Sequence, residues 1–162
     1  MKKQTILISA FLIAFSAAFA LGGADGASGK TYTLKLSTQL NETSVMVQGF
    51  KELAENVKTK SGGRLIIQVY PSAQLGTDED VIEQAIQGVN VCVLTDGGRM
   101  GNYVKDIGII GMAYFADNYD DVLKVTKGKT FDGWVKKLAS EDNIQILSFN
   151  WYDGARSFYT HK

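Results

Sequence analysis

Few side chains in this sequence could perform chemistry, and their types exclude more than they allow. The single histidine, His161, is the penultimate residue. A metal site built from His and Cys, or a Ser-His-Asp relay that needs a packed imidazole, is therefore not expected. The single cysteine lies in Val91-Cys92-Val93-Leu94 and reads as a small buried apolar residue of a strand, with no disulfide possible within the chain. The run Gly97-Gly98-Arg99-Met100-Gly101 lacks the spacing of a dinucleotide fingerprint, and no phosphate-binding G-x-x-x-x-G-K-[ST] loop occurs. Asp78, Glu79 and Asp80 crowd together at the start of a predicted helix. There, acids suit the dipole and solvent better than they form an acid/base pair. Arg156 is the sharpest candidate. It follows Trp151-Tyr152-Asp153-Gly154-Ala155, and a guanidinium among aromatics at a strand end can grip a carboxylate through two parallel hydrogen bonds. The other reading of Arg156 is a surface arginine paired with Asp153 or with solvent. The chemistry on offer is recognition; no enzyme, cofactor or metal is expected.

Such residues need elements to position them. Residues 31–37, Thr-Tyr-Thr-Leu-Lys-Leu-Ser, alternate polar and apolar and predict a first strand. Met46, Phe50, Leu53 and Val57 recur at helical spacing, predicting a helix that starts near Thr43 or Ser44 and stops at Ser61-Gly62-Gly63. Residues 64–70 are apolar on both faces, as in a sheet covered on two sides. Thr77 with Asp80 three residues on predicts a capped second helix, whose stripe is Val81, Ile82, Ala85 and Ile86 and which ends at Gly88. Residues 89–94 predict a third strand. Two successive β-α-β crossovers give an α/β fold with a parallel sheet. Beyond it, residues 97–103 predict a glycine-rich loop and 107–115 an apolar segment packed on the domain. Residues 119–127 and 131–140 predict helices separated by Gly128, 144–151 a fourth strand, and 157–160 the start of another extended segment.

The first twenty residues stand apart. Lys2 and Lys3, an apolar stretch over residues 6–19 and Ala18-Phe19-Ala20 have the order of a cleaved secretory signal peptide. The stretch is short for a transmembrane helix, which needs about 20 residues. Residues 21–30, rich in Gly, Ala and Ser, predict a flexible leader. The chain carries 17 basic and 17 acidic side chains; loss of Lys2 and Lys3 leaves the rest slightly acidic, which argues against nucleic acid as a partner. An exported chain without disulfides suits a bacterial periplasm.

In an open parallel sheet, ligands bind outside the carboxyl ends of the strands. That rule selects residues 39–42, 95–101 and 151–156, and within them Gln39, Asp96 and Arg156. Gln39 can equally be a turn residue, and Asp96 a helix or turn cap.

Four pieces of the sequence, Ser61-Gly62-Gly63-Arg64, Tyr70-Pro71-Ser72-Ala73-Gln74-Leu75-Gly76, Gly88 and Asp153-Gly154-Ala155-Arg156, resemble, in order and spacing, the solute-binding proteins of TRAP (tripartite ATP-independent periplasmic) transporters. The resemblance runs from about Thr31 to Lys162. It implies a periplasmic-binding-protein-like fold of two lobes that close over a small organic acid: a C4-dicarboxylate, sialic acid, a uronate or a keto acid. It further implies delivery of that acid to TRAP membrane permease subunits without ATP. By position, Gln39 matches a polar ligand-contacting residue, Asp96 a position that contacts ligand hydroxyls, and Arg156 an arginine that assists carboxylate binding. On this resemblance residues 31–162 are the N-terminal lobe, with the second lobe largely missing, the family's principal carboxylate-binding arginine lying beyond Lys162, and apolar surface left exposed. Ala113-Tyr114-Phe115 departs from a Pro-Phe pair common in the family. Two rivals from other classes are a sensory ectodomain of a signalling receptor and a secreted α/β enzyme.

Overall fold

A computed structural model describes residues 30–149. The predicted signal peptide 1–20, nearly all of the 21–30 leader, Arg156 and the 157–160 segment lie outside them.

The described chain begins with strand β1 (Tyr32–Ser37), helix α1 (Val45–Lys60), strand β2 (Leu65–Tyr70), helix α2 (Asp78–Ile86) and strand β3 (Val91–Val93). All three strands are parallel, in the order β2-β1-β3. β1 pairs with β2 along its whole length, from Tyr32 opposite Leu65 to Ser37 opposite Tyr70. It pairs with β3 only over Lys35 to Ser37, opposite Val91 to Val93. The chain thus crosses one way through α1 and back the other way through α2. With right-handed crossovers, this reversal puts the two helices on opposite faces of the sheet.

Each helix buries one stripe. In α1 the buried side chains are Val47 and Phe50, with Ala54 and Val57 half-buried below them. Phe50 and Val57 lie on the predicted stripe, but Val47 is buried more fully than the predicted Met46, Ala54 replaces Leu53 on the inner face, and Leu53 is 37% exposed. Spacings of three and four fit both faces; the small Ala54, on the inner face, lets the backbone come near the sheet. α2 begins as predicted. The Thr77 hydroxyl accepts from the Asp80 backbone N–H (3.2 Å), and the Asp80 carboxylate accepts from the Thr77 N–H (2.9 Å) and hydroxyl (2.8 Å), a reciprocal capping box.

After β3 the chain departs from expectation. The predicted loop over 97–103 contains a short helix, α3 (Gly97–Met100), followed by a 3-10 helix, Lys105–Gly111. Its glycines serve close approach. A Cβ on Gly101 would lie 2.9 Å from the Gly108 Cα, and one on Gly111 would lie 2.9 Å from the Gly98 nitrogen. Helices α4 (Tyr119–Thr126) and α5 (Lys129–Glu141) follow, with Gly128 between them. Ile82, Met100, Val104, Ile107, Phe131 and Leu138 form the main core, so α2, α3, the 3-10 helix and α5 share it. Phe131 meets Trp134 and Phe149 edge to face, at 6.3 and 5.2 Å between centroids.

No strand forms over the described part of the predicted fourth strand, 144–149. Ile144 and Ile146 point inward between exposed neighbours, but together with Phe149 they pack onto that helical core, and the Ile144 N–H donates to the Leu138 carbonyl at the end of α5 (3.0 Å). Alternation reports that one face is buried; it does not supply a pairing partner. Large apolar side chains are exposed at Ile109 and Met112, and at Tyr114 within the Ala113-Tyr114-Phe115 departure. An apolar groove of about 470 Å³ there is lined by Lys105, Ile109, Met112 and Trp134 among others. No helix among the described residues is long and apolar enough to cross a membrane.

Candidate functional site

A sheet ordered 2-1-3 reverses direction between β1 and β3, and a crevice opens at the carboxyl ends of those two strands. Gln39 is the second residue beyond β1, and Asp96 the third beyond β3. The topology therefore places the two described residues singled out by sequence on either side of one opening.

The Gln39 loop is held from below and behind. Ser37 and Thr38 are each 1% exposed. The Thr38 N–H donates to Tyr70 (3.1 Å), and the Leu94 N–H donates to Ser37 (3.0 Å), so both neighbours reach past the strand end. The turn after β2 then clamps the loop. Ser72 and Ala73 both adopt φ +55, which costs a non-glycine residue about 1 kcal/mol or more. That geometry aims the Ser72 N–H at the Leu40 carbonyl (2.8 Å) and the Ala73 N–H at the Thr38 carbonyl (3.0 Å), the two residues flanking Gln39. Gly76 closes the turn at φ +113, where a Cβ would meet the Asp80 Cβ and Oδ2 at 3.0 Å. The Pro-Ser-Ala-Gln-Leu-Gly run is thus a brace for the Gln39 loop.

Asp96 both caps and pairs. Its Oδ1 accepts from the Arg99 backbone N–H (3.0 Å), starting α3, and its Oδ2 accepts from Arg99 Nη1 (2.6 Å). Arg99 Nε donates to Glu79 Oε1 (2.8 Å), and Nη1 lies 3.6 Å from Asp78 Oδ2. Asp78 is only 5% exposed, and the nearby Gln39 side chain favours its charged form. One network thus joins Asp96, Arg99, Glu79 and Asp78, with the Gln39 loop beside it.

The predicted solvated acidic turn is therefore three residues with three tasks. Burial raises the Asp78 pKa above the ordinary aspartate value, opposed by the Arg99 charge and the Gln39 side chain. The Glu79 carboxyl is held low by its own backbone N–H and by Arg99. Asp80 is held low by the Thr77 backbone N–H and then its hydroxyl. The reason is geometric: the first turn of α2 sits beside the loop after β3, and only the sheet order reveals that neighbour. Asp78 and Arg99 are members of this network that sequence reasoning did not single out. The available signal was a cation three residues after the Asp96 cap and twenty after Glu79.

Cys92 is partly buried, and burial pushes its thiol up to about 11. Among the described residues no group of His, Cys, Asp and Glu is arranged to hold a metal ion. The arrangement can donate and accept hydrogen bonds around a polar solute; among the described residues it offers no nucleophile paired with a base.

The comparisons with known proteins bear on the family and the fold. The family model described as bacterial extracellular solute-binding protein, family 7, matches residues 36–162. The sialic acid-binding periplasmic protein SiaP of Vibrio cholerae is 28% identical over 124 residues, which cover 76% of this chain and 38% of that protein. A TRAP periplasmic solute-binding protein of Escherichia fergusonii, in an apo open structure, superposes with a TM-score of 0.72 at 29% identity, covering 76% of this chain and 41% of its own. Another, from Ochrobactrum anthropi with bound L-fuconate, gives 0.67 at 26% identity, covering 68% and 37%. The chain spans well under half the length of these relatives. On the family match and this sheet, the chain belongs to the bacterial extracellular solute-binding proteins of family 7, the TRAP periplasmic solute-binding proteins, of which it represents an N-terminal part.

Proposed function

We propose that this chain forms the first lobe of an extracytoplasmic subunit of a TRAP-type importer. The subunit captures a small organic acid, such as a C4-dicarboxylate, sialic acid, a uronate or a keto acid, and hands it to the membrane permease subunits. It acts in the periplasm after removal of residues 1–20, and it binds its ligand without transforming it. The observation that carries the reading is the ion-pair network of Asp96, Arg99 and Asp78 beside the Gln39 loop at the carboxyl ends of β1 and β3. In this reading closure of two lobes shuts water out. Arg156 grips the carboxylate, while Gln39 and Asp96 engage hydroxyls.

Calorimetry on the full-length protein tests this directly. A panel of the four acid classes should give one micromolar or tighter ligand, and Arg156→Ala should weaken it by about 1.5–3 kcal/mol. Unchanged affinity removes Arg156 from the site; binding by none of the panel sinks the reading as a whole.

A further inference from the structure

We propose that the Asp96-Gly97 bond is a site of isoaspartate formation that the fold holds shut, with Arg99 positioning the Asp96 carboxyl away from reaction. No ligand takes part, so the site stands apart from the proposed function. An aspartate followed by glycine is open to this change because no side chain shields the next peptide nitrogen. The Gly97 nitrogen attacks the Asp96 carboxyl carbon and gives up its proton to solvent, and a carboxyl oxygen leaves as water. Water then opens the five-membered imide at the Asp96 backbone carbonyl. The main chain afterwards runs through the former side chain, one methylene longer, and a free carboxylate stays on the Cα. One water leaves and one enters, and no other reactant is consumed.

Burial does not protect the carboxyl, since the Asp96 side chain is 55% exposed. Conformation does. Ring closure needs the Asp96 Cβ and the Gly97 nitrogen to eclipse about the Cα–C bond, and ψ 166 at Asp96 keeps them apart. Both carboxyl oxygens are held: Oδ1 accepts from the Arg99 backbone N–H (3.0 Å) and Oδ2 from Arg99 Nη1 (2.6 Å). Glu79 anchors Arg99 in turn, through Nε at 2.8 Å. On the other side Gly97 cannot swing toward the carboxyl. It is buried, and a Cβ there would lie 3.2 Å from the Ile110 Cβ and 3.3 Å from the Ile107 carbonyl oxygen. The packing that calls for glycine at 97 therefore leaves the nitrogen sterically open and also immobilises it. Conversion would take the capping carboxyl away from α3.

Peptide mapping with electron-transfer fragmentation, which tells the two linkages apart, tests this on the full-length protein aged at neutral pH. Folded wild type should accumulate the new linkage at Asp96 at least about tenfold more slowly than the same protein unfolded in urea. Arg99→Gln should raise the folded rate severalfold. Glu79→Gln, on an exposed side chain, loosens Arg99, should raise the rate in the same sense, and serves if Arg99→Gln folds poorly. Asp132-Gly133, in the first turn of α5, is the same pair in the same chain and should respond to neither variant. Equal rates in folded and unfolded wild type overturn the proposal without any variant. So does a rate at Asp96 that neither variant changes. An equal rise at Asp132 overturns it too, because general loosening of the fold would then replace loss of the Arg99 hold.

Discussion

The turn that braces the Gln39 loop and the segment that carries Asp96 are held in place by opposite means. The turn after β2, residues 71–77, is fixed by backbone hydrogen bonds that force Ser72 and Ala73 into left-handed geometry. The segment after β3, residues 96–111, has little such strain. It is fixed by the absence of side chains, with Gly101 packed on Gly108 and Gly111 on Gly98, and by the Arg99 ion pairs. The first device tolerates a range of side chains but demands particular dihedral angles; the second allows ordinary dihedral angles but tolerates no side chain at the contact. Substitutions should therefore fail for different reasons on the two sides.

The largest effect is expected at Gly101. The atoms its new Cβ would strike are backbone, so they cannot rotate away, and Gly101→Ala should lower unfolding stability by about 3 kcal/mol in urea titrations. A loss near zero would mean that α3 and the 3-10 helix separate easily, and the contrast with the other turn would vanish. Gly76→Ala should cost about 2 kcal/mol, from its φ and its contact with Asp80. If shortening Asp80 at the same time rescues most of that loss, the contact rather than the dihedral angle is the cause.

Arg99→Gln should cost about 1.5 kcal/mol at neutral pH, because it leaves the buried Asp78 carboxylate without its cation. Burial already raises Asp78, and loss of the opposing charge should raise it further, which carboxyl NMR titration would report. The sign follows from linkage: the Asp78 share of the loss is full above the variant's raised folded pKa, shrinks as pH falls through it, and is gone below the lower folded pKa of the wild type. A penalty from that carboxylate that grows toward acid would contradict the assignment.

Thr77→Ala should cost about 1 kcal/mol. Because the folded Asp80 titrates below its ordinary 3.8, the wild-type cap stabilises above that value and loses its effect as pH falls through the lower folded one. The variant keeps the backbone N–H at position 77, so stability measured from pH 2 to 5 should lose only the hydroxyl's share of that acid dependence. The smallest effect concerns Cys92 on β3, at the edge of the sheet formed by the described residues. With its thiol near 11 against an ordinary 9.0, native protein at pH 8 should react with a disulfide reagent about a hundredfold more slowly than unfolded protein. Fast labelling would show that the β3 side opens far more readily than the β2 side.

Legibility in the sequence followed the range of the interactions. The Thr77–Asp80 box, the break at Gly128 and the order strand-helix-strand-helix-strand rest on neighbours within a few positions, and all of them appear in the structure. Leu53 was misplaced because two helical faces share its spacing, and 144–149 because its alternation is met by α5 and the core instead of a fourth strand. The glycines of 97–101 read as a loop because glycine signals both freedom and close approach, and only the partner helix distinguishes them. At the site, Gln39 and Asp96 were accessible through the rule about strand ends, which needs topology alone. Asp78 and Arg99 were not, since their meeting depends on α2 returning beside the loop after β3. Arg156 lies outside the described residues, and its part in the site stays with the proposal.

The central place of β1 has a consequence for time as well as shape. Between Lys35 and Ser37 that strand is bonded on both edges, so freeing it requires two ladders to part together, whereas among the described residues β3 is held by one. Solvent deuterons should therefore enter Val91–Val93 first and the Leu36–Thr38 amides last, near the rate of global unfolding. The floor under the Gln39 loop would then be the slowest-breathing part of the lobe, a fixed reference against which a ligand, or a closing partner lobe, can be registered.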